Sequence, residues 1–349
     1  MPFDPGAAAL PNSGIFGLPF SEADARVVVV PVPFAATTSY GGGAERGPEA
    51  VLAASKQIDL FDIETGRAYE AGIAMLPIPE KILGWHAEAR REAEKVIALG
   101  GRVSGDAAAQ RALGRVNELG AAVNEDSCAT VRALLARGKL VALLGGDHSA
   151  PFGAIRAVAE AHPGVGILHI DAHADLREAY EGFTFSHASI MHNVAARIPE
   201  VARIVQVGIR DFSEEELDAI ERSNGRIRTY FDAHLARRAA DGEPWSKQVD
   251  RIVADLPAKV YVSFDIDGLD PTLCPHTGTP VPGGLSFHHA TSLIAGVARS
   301  GRTIVGVDLN EVVPGEEGDE WDGNVGARIL YKMIGWMLAS HSLTTPRKV

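Results

Sequence analysis

Short apolar runs recur along this chain and alternate with stretches of helical periodicity. Arg26–Val32, Ile73–Leu76, Leu140–Leu144, Val165–Ile170, Val201–Gly208, Lys259–Phe264 and Thr303–Val307 read as strands. Continuous β-branched and aliphatic runs of this length fit strands buried on both faces. Gly47–Ser55, with Pro48 near its start, reads as a helix. Helical periodicity also covers Ala87–Arg137, Pro151–His162, Ser213–Arg222 and Asn324–Ser340, while Leu235–Arg251 mixes helix and loop. Glycines 100, 101, 105 and 120 are expected to punctuate the long helical stretch. Strands alternating with helices predict one doubly wound α/β domain around a parallel sheet. Residues Met1–Ser21, rich in Pro, Gly and Ala, read as an irregular arm lying on another subunit. The expected division is an arm over 1–25 and one domain over 26–349.

Composition narrows the classes. The 349 residues can bury a large core, and 46% hydrophobic with 22% charged residues is ordinary for a globular protein. A net charge of −12 argues against a nucleic-acid surface and favours a cationic ligand. Two cysteines, Cys128 and Cys274, imply no disulfide framework and fit a reducing compartment, so a cytoplasmic location is expected. The N-terminus lacks a basic region followed by an apolar one, so no secretory leader is expected. No apolar run approaches the ~20 residues of a membrane span.

Chemistry concentrates where three strands end. The stretch Leu168–Leu176 reads L-H-I-D-A-H-A-D-L and places Asp171, His173 and Asp175 at a spacing of two, which in extended chain points all three to one side. Leu140–Leu144 ends in G-G-D-H-S, and Lys259–Phe264 ends in D-I-D-G-L-D-P. Acid and His residues after several apolar strands suggest one site at the carboxyl edge of a parallel sheet. The candidate ligands are His148, Asp171, His173, Asp175, Asp265 and Asp267. Four carboxylates and two imidazoles are too anionic to bury without cations. Such a set suits two divalent ions, Mn²⁺ above all, with Ni²⁺ or Co²⁺ compatible. For any one cluster, strand capping would be explanation enough; three together argue for a site.

G-G-D-H-S, D-A-H-A-D-L and S-F-D-I-D-G-L-D-P, in this order, resemble the ureohydrolases: arginase, agmatinase and their relatives. The resemblance runs from about Val27 to the C-terminal helix. It implies a three-layer α/β/α sandwich with a mainly parallel eight-stranded sheet, hydrolysis of a guanidino group to urea and an amine, and two metal ions, Mn²⁺ in most cases. It implies that His148 binds one ion and His173 the other, that Asp171 and Asp265 bridge, that Asp175 completes the first shell and accepts a hydrogen bond from a bridging hydroxide, and that Asp267 completes the second. D-L-N-E-V-V-P supplies Glu311 to face the substrate guanidinium, and F-S-H-A-S supplies His187 to pass a proton to the leaving amine. A homo-oligomer, trimer or hexamer, is also implied. His169 reads as a core residue or a support to the ligands, and His192, His288 and His289 fall on helices.

The loop Arg177–Ser189 lacks the Ser-Gly-Asn run of arginases and looks more like agmatinase-type proteins. S-G-I-F-G-L-P-F at 13–20, V-P-F-A-A-T-T-S-Y-G-G-G, Q-I-D-L-F-D at 57–62 and W-D-G-N-V-G-A-R at 321–328 resemble a bacterial subgroup that includes guanidine hydrolases, some of which prefer Ni²⁺. The expected substrate is therefore guanidine or an alkylguanidine, ahead of agmatine or guanidinobutyrate, with arginine last. A closed, partly apolar pocket is expected from Thr37, Thr38, Tyr40, Phe183, His276 and Trp321, each of which could instead pack loops or a subunit interface. Two other classes compete. Mononuclear zinc deacetylases need fewer ligands than the six present. A non-catalytic subunit of a mixed oligomer would be favoured by a missing ligand, and none is missing.

Overall fold

The computed structural model describes residues 3–10, 12–316 and 318–344. Among them run eight strands: β1 (Val27–Val32), β2 (Ile73–Met75), β3 (Leu140–Gly145), β4 (Val165–Ile170), β5 (Val201–Ile209), β6 (Ile227–Phe231), β7 (Lys259–Asp265) and β8 (Thr303–Asn310). They form one sheet in the order β2-β1-β3-β8-β7-β4-β5-β6, with every neighbouring pair parallel. The helices are α1 (Gly47–Ala54), α2 (Glu80–Ile97), α3 (Ala107–Ala136), α4 (Phe152–Ala161), α5 (Ile190–Arg197), α6 (Glu214–Arg222), α7 (Asp232–Ala240), α8 (Trp245–Ala254), α9 (Phe287–Arg299) and α10 (Trp321–Ser340).

Alternation along the strands builds the two halves of the core. Val27, Val29, Leu168, Ile170, Val262 and Phe264 pack with apolar residues of α1, α8, α9 and α10 on one face. Val28, Val30, Ile167 and Tyr261 pack with residues of α2, α3, α4 and α5 on the other. The result is the expected three-layer α/β/α sandwich. Strands covered on both faces must be apolar throughout, which is why their sequences run rather than alternate.

Local structure departs from expectation at four places. Helix α3 passes unbroken through Gly120, which lies against Phe185. The break falls instead at 98–106, where Asp106 caps α3 by accepting from the amides of Ala108 and Ala109. Helix α2 begins at Glu80, before the expected Ala87. Strand β6, I-R-T-Y-F, is an eighth strand that its mixed polarity concealed. Finally, part of the expected arm is core. Ile15, Phe16 and Leu18 are buried; the Phe16 amide donates to Ser55 Oγ at 2.9 Å, and its ring meets that of Tyr331 at 4.9 Å. Among the described residues, no helix is long and apolar enough to cross a membrane.

Candidate metal centre

The four central strands, β3, β8, β7 and β4, deliver their C-terminal ends to one place. His148 follows β3; Asp171, His173 and Asp175 follow β4; Asp265 ends β7 with Asp267 just beyond; Glu311 follows β8. The chain leaves β3 in one direction and returns at β4 across the two strands later inserted between them, which opens a crevice at the carboxyl edge. Close backbone contact shapes its floor: a Cβ on Gly146 would lie 2.1 Å from the Phe34 carbonyl oxygen.

The three β4 residues do not converge by extended spacing. Strand β4 stops at Ile170, and Asp175 takes a left-handed conformation with φ 53°. Glu311 does the same, with φ 59°. Non-glycine residues held there cost about 1–3 kcal/mol each, so the surrounding structure must impose them. Asp175 is pinned because its carbonyl accepts from the amides of Met191 and His192. Glu311 is pinned by its amide on the Gly146 carbonyl, by Thr277 Oγ1 donating to its carbonyl, and by the His148 amide donating to Oε1 at 3.0 Å.

Two groups of lone pairs result. His148 Nδ1 stands 2.9 Å from Asp171 Oδ2, 3.1 Å from Asp265 Oδ2 and 3.5 Å from Asp175 Oδ2. His173 Nδ1 stands 3.0 Å from Asp267 Oδ2 and 3.5 Å from Asp171 Oδ1. Asp171 therefore offers one oxygen to each group. Asp265 Oδ1 accepts the Asp267 amide at 2.8 Å, which ties the two acids after β7 together. The proton on His148 can be placed. Ser263 Oγ donates to Asp308 Oδ1 at 3.0 Å, so it accepts from His148 Nε2 at 2.9 Å. That leaves the Nδ1 lone pair aimed at three buried carboxylates, an arrangement that calls for a cation.

The titration of the metal-free chain shows the pull of these carboxylates for positive charge: burial would lower His148, but its hydrogen bonds to Asp171 and Asp265 raise it well above the imidazole range, so a proton stands there when no ion does. Burial, then the Asp171 charge, pushes Asp175 well above the carboxylate range; burial, then Asp267 and Asp171, does the same to Asp265. Burial, then Asp265 and Asp147, raises Glu311. Burial alone would lower His173, but Asp267 and Asp171 push it up to about 12. Burial and the neighbouring His173 push His187 down to about 4, so that imidazole rests neutral. His187 Nδ1 faces Thr37 Oγ1 at 3.3 Å.

Above the cluster lies a cavity of about 200 Å³ whose walls include Tyr40, Tyr180, His187, Asp211, Phe212 and Thr279. Several expected pocket residues stand outside it. Phe183 is fully buried among Ala93, Val96, Ala112 and Val116. Thr38 turns its hydroxyl and carbonyl to Arg90. Trp321 is 47% exposed, with its indole donating to the Thr272 carbonyl. His276 binds buried Asp322 through Nδ1 at 2.8 Å and through its amide at 3.1 Å. Tyr40 lines the cavity but is 76% exposed. Residues that the sequence reading missed include Ser263 and Asp308 behind His148, Thr279 on Asp267 Oδ2 at 3.3 Å, and Tyr180 in the wall. For Ser263 and Asp308 a signal existed: polar side chains inside apolar strands.

Comparison with known proteins extends this picture. The sequence profile of the arginase family matches residues 25–335. The chain is 35% identical over 319 residues to N(1)-aminopropylagmatine ureohydrolase of Thermus thermophilus, covering 91% of each. It is 32% identical over 209 residues to guanidinobutyrase of Pseudomonas aeruginosa, covering 58% of this chain and 61% of that protein. The crystal structure of agmatine ureohydrolase of Thermoplasma volcanium superposes with a TM-score of 0.72 at 21% identity, covering 95% of this chain and 97% of that one.

Proposed function

This chain belongs to the arginase family and is a ureohydrolase, and from that premise we propose that it hydrolyses the guanidino C–N bond of a small guanidino compound at a two-ion centre. The observation that carries this reading is the convergence of carboxylate oxygens and imidazole nitrogens in two adjoining groups, around His148 and around His173. His148, Asp171, Asp175 and Asp265 would hold one ion; His173, Asp171, Asp265 and Asp267 would hold the other. Mn²⁺ or Ni²⁺ suits these donors. When bound, the ions supply a water nucleophile ionised at neutral pH and polarise the reacting centre.

The chain's own residues do the rest. Glu311, its Oε1 tied to the His148 amide, pairs its charge with the guanidinium and places the planar carbon over the metal ligands. Asp175, its carbonyl held by the α5 amides, orients the attacking oxygen by accepting its hydrogen bond. His187 rests neutral, so it can take a proton and pass it to the leaving amine; Nδ1 faces Thr37, which leaves Nε2 for the exchange. The products are urea and ammonia or an amine.

For substrate size, resemblance at 13–20, 57–62 and 321–328 puts guanidine or an alkylguanidine first. A second reading, agmatine or a longer amine, is favoured by two observations. The cavity is open on Tyr40 rather than roofed by Trp321, and the acidic residue Asp211 is part of its wall. Relatives carry aminopropylagmatine ureohydrolase and guanidinobutyrase activities by name. We propose a homo-oligomer in the cytoplasm, with no nucleic-acid or membrane partner. The test is urea release by Mn²⁺- and Ni²⁺-loaded protein from guanidine, methylguanidine, agmatine, guanidinobutyrate and arginine. Preference for the smallest compounds supports the first reading, and preference for agmatine the second. Urea from none of them contradicts both.

A further inference from the structure

His169 lies within reach of the ligand cluster, with its Nε2 2.8 Å from Asp171 Oδ2, and its atoms alone would qualify it as a ligand. Its neighbours assign it another task. It is fully buried on β4, and in register beside it stand Gln206 on β5 and Thr229 on β6. The three polar side chains form a row across three strands. The Gln206 amide can be oriented. Its Nε2 lies 2.6 Å from the Ala174 carbonyl, which only accepts, so the nitrogen must face it. Its Oε1 takes the Thr229 hydroxyl proton at 2.8 Å. The second Nε2 proton then points at His169 Nδ1, 3.1 Å away. Nδ1 therefore accepts, the ring's proton sits on Nε2, and that N–H donates to Asp171.

The geometry points to His169 as a positioning residue: a neutral imidazole, set in one tautomer by Gln206 and Thr229, that fixes the carboxylate of Asp171 and stays outside the ligand set. Asp171 Oδ1 is steadied in the same way by the His173 amide at 2.6 Å. Each oxygen of the shared carboxylate thus takes one hydrogen bond from the protein and keeps a lone pair for its own ion. A neutral donor suits this place, because a second cation against Asp171 would compete with the ions themselves. The same Gln206 amide holds the Ala174 carbonyl, between His173 and Asp175, so one side chain registers the whole ligand loop.

The inference rests on the two-ion reading of the centre. The experiment measures Mn²⁺ bound per chain by equilibrium dialysis at fixed pH, with kcat and KM against free Mn²⁺. It uses the full chain, His169→Leu, His169→Gln and Gln206→Leu. Glutamine keeps an N–H donor near the Nε2 position; leucine does not. Supporting tissue around metal ligands typically contributes about 10–100-fold in affinity. We expect His169→Leu to bind Mn²⁺ about 10–100-fold more weakly, with turnover recovering in excess Mn²⁺ and KM little changed. His169→Gln should stay within a few-fold of the wild type. Equal behaviour of the leucine and glutamine variants, weakened or not, overturns the inference while wild-type binding of two ions leaves the centre standing. If His169→Leu does not fold, Gln206→Leu decides: weaker Mn²⁺ binding supports the row, and wild-type binding overturns it. A wild-type chain that binds no Mn²⁺ overturns both the centre and the inference.

Discussion

Single side chains at the crevice have separable jobs, and substitution should separate them. Glu311→Gln keeps shape and the bond from the His148 amide but removes the charge that faces the guanidinium. It should lower kcat/KM by roughly 10²–10³-fold with both ions still bound, read by steady-state kinetics beside metal analysis. His187→Ala should lower kcat by roughly 10²-fold, again with both ions retained; loss of an ion would make His187 a ligand. The convergence of the six candidate ligands on one crevice was legible because each belongs to a short motif at a strand end. The cavity wall was not. Phe183 and Tyr180 are three residues apart, and a tight reversal decides between them: Glu181 at φ 52° and Gly182 at φ 89° swing Tyr180 to the cavity and Phe183 to the core. No pattern of polarity in Y-E-G-F records that reversal.

At the scale of elements, the loop after β7 is set by one buried acid on α10. Asp322 is inaccessible to solvent and holds both the ring and the amide of His276. The same loop carries Thr277 to the Glu311 carbonyl and Thr279 to Asp267. The bond to Asp322, foremost, raises the His276 pKa. A histidine raised in the folded state stabilises fully below its unfolded value of about 6.5 and loses that contribution as pH climbs through the folded value. Asp322→Asn should therefore cost about 1–3 kcal/mol, with a larger fall in Tm at pH 6 than at pH 9, and should raise KM. An equal fall at both pH values would contradict the pairing. Elements themselves were mostly legible: seven strands declared themselves as apolar runs. Strand β6 did not, because an edge strand is only half covered and tolerates Arg228 and Thr229. Helix α3 hid behind Gly120, a single glycine that the helix runs through without a turn.

Taken as a whole, the molecule gathers acid at the centre of a sheet that otherwise buries aliphatic residues. Asp175, Asp265 and Glu311 have folded-state values raised above those of the open chain, by burial first and then by the charge of a neighbouring carboxylate, Asp171, Asp267 and Asp265 respectively. Groups raised in this way stabilise below the unfolded value and withdraw that stability as pH rises through the folded one. The metal-free chain should thus grow less stable from acid to neutral pH. Bound ions cancel the repulsion, so the gain in Tm on adding Mn²⁺ should be larger at pH 8 than at pH 6. Thermal melts with and without chelator check this, and a gain that shrinks with rising pH would count against it.

The central claim is that two ions sit between His148 and His173, shared by Asp171 and Asp265. Metal counted per chain in the wild type and in Asp267→Ala, after dialysis against the same Mn²⁺ buffer, tests it most directly. The account predicts two ions in the wild type and one in the variant, because Asp267 serves only the His173 side. Equal counts in the two proteins, or no metal in the wild type, would contradict it.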